Sequence, residues 1–137
     1  MAHEKFRVEV LTPEGEVFND EVEMVSTRTA AGSIGVLAHH QPVLAMLDPT
    51  ELRLYTSESE CVSFAQAEGY MQITGDRTMI LVEEAHPPKE LDTSDLRERL
   101  ERAERELEDA GEDSEKRRVA LRDKTRFERF LQIAESS

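Results

Sequence analysis

Ala85-His86-Pro87-Pro88-Lys89-Glu90-Leu91-Asp92-Thr93-Ser94-Asp95-Leu96 decides how this chain divides. Two consecutive prolines disfavour helix before them and resist strand pairing, so a boundary falls at Pro87-Pro88. Composition changes across it. All but one of the six glycines and both tyrosines lie upstream, whereas Glu, Arg, Leu and Ala dominate downstream. The 137 residues therefore read as two small domains, 1–87 and 88–137.

Upstream, the pattern is that of strands. Phe6, Val8 and Val10 alternate with Arg7 and Glu9, the period of a half-buried strand. Thr12-Pro13-Glu14-Gly15 suits a type I turn, with Pro at its second position and Gly at its fourth. Val22 and Met24 alternate with Glu21 and Glu23, which puts the two glutamates outside. Short runs follow at 52–56, 61–66, 70–74 and 78–82, with turn signals such as Thr74-Gly75-Asp76 between them. Many short strands at this spacing predict an antiparallel β-sandwich or flattened barrel.

Downstream, the period changes to that of helices. Leu96, Leu100, Ala103, Leu107 and Ala110 step by four and three, which sets them in one narrow stripe. Asp92 or Thr93 can cap this helix and Gly111 can end it. Asp113 or Ser114 can cap a second helix, on which Val119, Ala120, Phe127, Phe130, Leu131 and Ala134 share a face. The short connection predicts an antiparallel two-helix hairpin.

Charge narrows the function classes. Seventeen basic against thirty acidic residues give −13, which repels phosphate backbones and anionic lipid, so nucleic acid is not an expected partner. The segments 1–87, 88–113 and 114–137 carry −10, −6 and +3, and the last is the one basic part. There Arg118, Arg122, Arg126 and Arg129 fall within about 80° of one another on a helix. No apolar run nears the ~20 residues that span a bilayer, and Met1-Ala2-His3-Glu4 opens no signal peptide. A cytoplasmic chain with no direct bilayer insertion is expected. A single cysteine, Cys61, forms no internal disulfide and reads as a packed thiol beginning an apolar strand.

Chemistry-bearing patterns are scarce. His39 and His40 are adjacent and project differently, with no third ligand at metal spacing, so they read as solvated loop histidines and no metal is expected. There is no Gly-x-Ser-x-Gly elbow, phosphate-binding Gly loop or dinucleotide turn, and no catalytic residue or cofactor is assigned. One segment stands out. Gly32-Ser33-Ile34-Gly35-Val36-Leu37-Ala38-His39-His40-Gln41-Pro42 reads as an apolar loop whose glycines are spaced unlike those of a hairpin turn.

In Val10-Leu11-Thr12-Pro13-Glu14-Gly15, this Gly32–Pro42 segment, Gly69-Tyr70-Met71-Gln72-Ile73, 80–85 and Leu91-Asp92, the chain resembles the epsilon subunit of bacterial F-type ATP synthase. The order and spacing of these motifs cover nearly the whole chain. Three positions depart from the family pattern. Ala38-His39 stands where Pro-Gly usually precedes the histidine at 40, Ser33 where an acidic residue is frequent, and Glu68 where a first glycine is usual.

The resemblance implies a non-catalytic rotor subunit of a proton-translocating ATP synthase, peripheral on the cytoplasmic face of the cell membrane. It implies a sandwich that binds the gamma subunit and rests on the membrane-embedded c-ring, with Ser33 and His40 as ring contacts. It implies a hairpin that extends along gamma to block ATP hydrolysis or folds away to permit rotation. The basic stripe Arg118, Arg122, Arg126 and Arg129 would then meet the catalytic alpha/beta subunits, on an acidic segment of beta. Some family members bind ATP through Ile/Leu-Asp-x-x-Arg-Ala; here Leu91-Asp92-Thr93-Ser94-Asp95-Leu96 puts Asp95 where the Arg would stand, so no ATP binding is expected. Another interaction module, such as a helical-hairpin chaperone subunit with a β domain, is the alternative. An enzyme using His39 and His40 is the remaining class.

Overall fold

The computed structural model describes residues 3–136. Phe6, Val8 and Val10 turn inward from the first strand, β1 (Phe6–Thr12), as their alternation requires. Then follow β2 (Gly15–Val22), β3 (Met24–Thr29), β4 (Gly32–Val36), β5 (Val43–Leu47), β6 (Thr50–Tyr55), β7 (Cys61–Gln66), β8 (Gly69–Thr74), β9 (Arg77–Val82) and β10 (Ala85–His86). A 3-10 turn at Pro88–Glu90 leads to helices α1 (Thr93–Asp109) and α2 (Ser114–Ser136). Contacts divide the chain into two units, Met1–Pro87 and Pro88–Ser137.

The strands join in the order β10-β7-β6-β3-β5-β8-β9-β1-β2, with β4 on β3. β3 is the branch point. It pairs with β6 through Met24–Ser26, reaches β5 at Thr29, and takes β4 along Val25–Thr29. One ladder thus wraps a single core as a β-sandwich, nearly a closed barrel. Val8, Val10, Val22, Val25, Val36, Leu52, Leu54, Met71 and Ile80 have no exposed surface in it. The polar groups buried beside them are paired. The Thr27 hydroxyl donates to Gln66 Oε1, and Gln66 Nε2 donates to the carbonyls of Asp48 (3.1 Å) and Ala67 (2.9 Å).

Four details differ from the sequence pattern. β1 and β9 pair in parallel, the one parallel pairing among the described residues, from Arg7↔Arg77 to Leu11↔Leu81. Parallel neighbours need a long crossover, here the whole span between them, and no local pattern reports it. Glu23 is 5% exposed rather than outside, because the chain bends there and its N–H donates to the Tyr55 carbonyl at 2.7 Å. The inward phase consequently jumps from Val22 to Val25. Cys61 is exposed, not packed.

The fourth correction concerns the glycine-rich segment, whose first half is a strand. Gly32–Val36 is β4, joined to β3 by a tight turn over Ala30-Ala31. Its construction repeats that of the β1–β2 turn. The Thr12 hydroxyl accepts from Glu14 N–H and donates to the Gly15 carbonyl, both at 3.2 Å. The Thr29 hydroxyl accepts from Ala31 N–H (3.1 Å) and donates to the Gly32 carbonyl (3.0 Å). Gly15 and Gly32 have φ of +128° and +129°, a region that a side chain would strain.

In the second unit, Asp92 caps α1 by accepting from Asp95 N–H at 3.1 Å, and Asp113 caps α2 by accepting from Lys116 N–H at 3.1 Å. Gly111 ends the first helix with φ +56°. Leu96 and Ala103 are buried from α1 and Ala110 just after it, with Ala120, Phe130, Leu131 and Ile133 from α2. The two helices are antiparallel, and Arg97 near the start of α1 meets Glu135 near the end of α2 at 3.4 Å. Ile133 widens the buried face beyond the one expected.

Candidate functional site

β5 is Val-Leu-Ala-Met-Leu, apolar on both of its faces. Such a run belongs to a strand covered on both sides. Leu47 does point into the core. Leu44 and Met46 point the other way and stand 73% and 62% exposed. Register continues that face across the sheet. Met46 lies opposite Tyr70 on β8, Tyr70 opposite Leu81 on β9, and Leu81 opposite Leu11 on β1. Directly opposed residues share a face, so the four form one row across four strands. Tyr70 is 52% and Leu81 43% exposed. Single exposed apolar residues are ordinary, but an aligned row on a strongly acidic chain marks a surface for a partner.

The row was not singled out from the sequence. Its signal was present in the unbroken apolar runs Val43–Leu47 and Met79–Val82, which are too apolar for strands with one wet face. Which outward residues align depends on the pairing of β5, β8, β9 and β1.

Ser33 and His40 are both near the solvent but at different ends of β4. Ser33 is exposed near its start, opposite Arg28. His40 is half-buried beyond its end, where its Nδ1 donates to the Gln41 carbonyl at 2.8 Å. The strand between them covers about 10 Å from Ser33 to Val36.

Arg118, Arg122, Arg126 and Arg129 lie on one unbroken helix, α2. The stripe is partly neutralised by its own helix. Arg118 binds both carboxylate oxygens of Glu115, through Nε at 3.2 Å and Nη2 at 2.5 Å. That contact holds Glu115 below the usual carboxylate range and raises Arg118. Arg122 donates to Asp123 through Nε and Nη2, at 3.3 and 3.2 Å. Arg126 and Arg129 are half-buried.

Asp95 occupies the first turn of α1, where the unpaired N–H groups of a helix favour an anion. Its carboxylate takes the Arg99 Nε at 2.8 Å. Among the described residues, no group of three His, Cys, Asp or Glu side chains is arranged to hold a metal ion. No helix of these residues is long and apolar enough to cross a membrane.

Residues 5–88 match the family described as ATP synthase, Delta/Epsilon chain, beta-sandwich domain. The chain is 35% identical over 130 residues to the ATP synthase epsilon chain of Persephonella marina, covering 95% of this chain and 91% of that one. It belongs to the ATP synthase epsilon chain family. It is also 38% identical over 107 residues to the sodium ion specific ATP synthase epsilon chain of Propionigenium modestum, covering 78% of this chain and 72% of the other. A chain in the Euglena gracilis mitochondrial ATP synthase, in a structure of its OSCP/F1/c-ring assembly, shares the fold with a TM-score of 0.78 at 21% identity. That match covers 97% of this chain and 82% of the other.

Proposed function

We propose that this epsilon-family chain is a non-catalytic central-stalk subunit that couples rotation of the c-ring to the gamma shaft. The observation that carries the proposal is the aligned row of exposed Met46, Tyr70 and Leu81 with half-buried Leu11 at its end. Apolar, aligned and rigidly backed by the core, it suits a permanent subunit contact, and we assign it to gamma. Ser33 and His40 are assigned to the c-ring. The assembly would hold the chain peripherally at the cytoplasmic face of the cell membrane, with no cofactor and no nucleic acid. Family membership and the sandwich-plus-hairpin fold support this reading.

The helical hairpin supplies regulation, and the arginine stripe on α2 is assigned to the catalytic beta subunits when the hairpin extends. Because Arg118 and Arg122 already hold Glu115 and Asp123, gripping beta means exchanging carboxylate partners on the helix for carboxylates on beta. An exchange of like pairs has a small free-energy change, which suits a reversible switch.

The docking assignment is tested by Met46→Glu with Tyr70→Glu. Both side chains face solvent, so the variant should still fold, with a somewhat lower melting temperature because the two new carboxylates are directly opposed. It should fail to co-purify with gamma. A folded variant that still joins the complex in normal amount contradicts the assignment.

A further inference from the structure

Between β4 and β5 the chain makes a four-residue turn, Leu37 to His40, closed by His40 N–H donating to the Leu37 carbonyl at 3.3 Å. His39, third in the turn, has φ +65°, the one non-glycine with positive φ among the described residues. This is the geometry of a type II turn, whose third position ordinarily takes glycine or asparagine. A side chain there carries a small strain, which histidine tolerates better than most residues, so contacts of modest strength bear on whether the turn keeps this form.

The surroundings are two carboxylates from two other segments. His39 Nε2 lies 2.8 Å from Oε2 of Glu4, in the segment before β1. Its Nδ1 lies 3.7 Å from Oδ1 of Asp76, in the turn between β8 and β9. That turn is itself anchored, since the Asp76 carbonyl accepts from Arg7 N–H at 3.0 Å. The other charged groups nearby are engaged elsewhere or only flank the site. Arg7 binds Asn19 at 2.7 Å, Arg77 meets Glu9 at 3.3 Å, and His40 holds the Gln41 carbonyl, while His3 and Lys5 flank Glu4.

We propose that Glu4, His39 and Asp76 form a proton-operated latch on the Leu37–His40 turn. The imidazolium donates to Glu4 and attracts Asp76 by charge alone, across a distance too long for a hydrogen bond, and so favours the left-handed conformation of the turn. The neutral ring keeps one N–H, and its other nitrogen becomes an acceptor facing a carboxylate. Losing the proton therefore removes the charge attraction to both carboxylates and leaves a single ring N–H for Glu4. All three side chains are exposed; the hydrogen bond to Glu4 and that group's charge raise the pKa of His39 from its usual value, a little desolvation opposes this, and the Asp76 charge adds to the rise. The sign follows. The latch is fully closed below the unfolded pKa near 6.5 and opens as pH rises through the higher folded value. The turn carries His40, so the latch would tune how the chain meets the c-ring; that consequence rests on the ring assignment above.

The test is an NMR titration of the intact 137-residue chain between pH 5 and 9, as about the range in which histidine responds. The His39 ring signals are assigned by their loss in His39→Gly. His39 should titrate above 6.5, and the backbone amides of 37–41 should shift and gain mobility with the same midpoint. Glu4→Gln with Asp76→Asn should lower that midpoint and leave the turn mobile even at low pH. His39→Gly, which adopts positive φ without strain, should keep the turn ordered and indifferent to pH. A midpoint at or below 6.5, or amides that ignore it, overturns the latch. The ring assignment fails separately, if Ser33→Cys and His40→Cys, each in a Cys61→Ser background, form no cross-link to the c-ring in the assembled complex at any pH; the titration result is unaffected by that outcome.

Discussion

Gly69 is where two strand backbones come closer than a β carbon allows. A β carbon on it would lie 2.0 Å from the Leu81 carbonyl oxygen and 2.7 Å from the Val82 α carbon. Both are backbone atoms of β9, which cannot rotate away, so the strands would have to part. Gly69→Ala should therefore destabilise the sandwich by about 2–4 kcal/mol, near the upper end for overpacked cores. Urea unfolding measures it, and a variant as stable as the parent would mean that β8 and β9 are not so closely apposed. Nothing in the local sequence separates this glycine from one in a loop, because its reason is a neighbour twelve residues away. Gly15 and Gly32 are more legible. Each stands three residues after a threonine whose hydroxyl closes the turn, and the pair Thr12…Gly15 and Thr29…Gly32 is visible in the sequence once the first is understood.

At the scale of elements, α1 is set by its start. Asp92 accepts the Asp95 N–H, and the Asp95 carboxylate then pairs with Arg99 one turn on. The carboxylate at position 95 thus has a structural role in this helix, and the resemblance drawn from the sequence would put it where an ATP-binding motif has an arginine. A second anion beside a triphosphate is repulsive, and the segment 88–113 carries −6. Calorimetry with ATP should show no saturable heat up to millimolar concentrations; a binding isotherm in that range would overturn the expectation. Strand β5 illustrates the opposite case. Its apolar run does not reveal which residues face the core, and only pairing to β8 puts Leu44 and Met46 outside.

For the whole molecule, the balance of charge bears on the regulatory role proposed for the hairpin. The segment 114–137 is the basic part of an acidic chain, and its arginines lie on one helix. Exposed ion pairs are individually weak, so no single arginine should control inhibition. Together they can bias a two-state hairpin within the usual several-fold to hundred-fold range of regulatory couplings. If the stripe grips beta, changing Arg118, Arg122, Arg126 and Arg129 to Gln should raise ATP hydrolysis by the assembled complex several-fold, and added salt should act similarly on the parent. A fall in hydrolysis with unchanged subunit content would show that the stripe instead holds the hairpin away from beta. The division at Pro87 adds an independent expectation. A chain ending there retains the core and the apolar row, so it should fold, join gamma and support coupled synthesis while losing control of hydrolysis. An unfolded fragment would show that the second unit is needed to build the first.

The sequence by itself determined most element types, the two-part architecture of sandwich and hairpin, and the glycine that ends the first helix, while each helix cap stayed open between two neighbouring residues until the structure chose Asp92 and Asp113. These depend on short-range physics: side-chain period, proline geometry, capping hydroxyls and carboxylates, and φ preference, all expressed within a few residues. Tertiary structure decided the parallel β1–β9 pair, the burial of Glu23, the placement of Gly32–Val36 in a strand, the aligned row at Met46, Tyr70, Leu81 and Leu11, and the meeting of Glu4, His39 and Asp76. Each joins residues far apart along the chain. Strand pairing and register bring them together, and those are set by the packing of one shared core rather than by any local stretch.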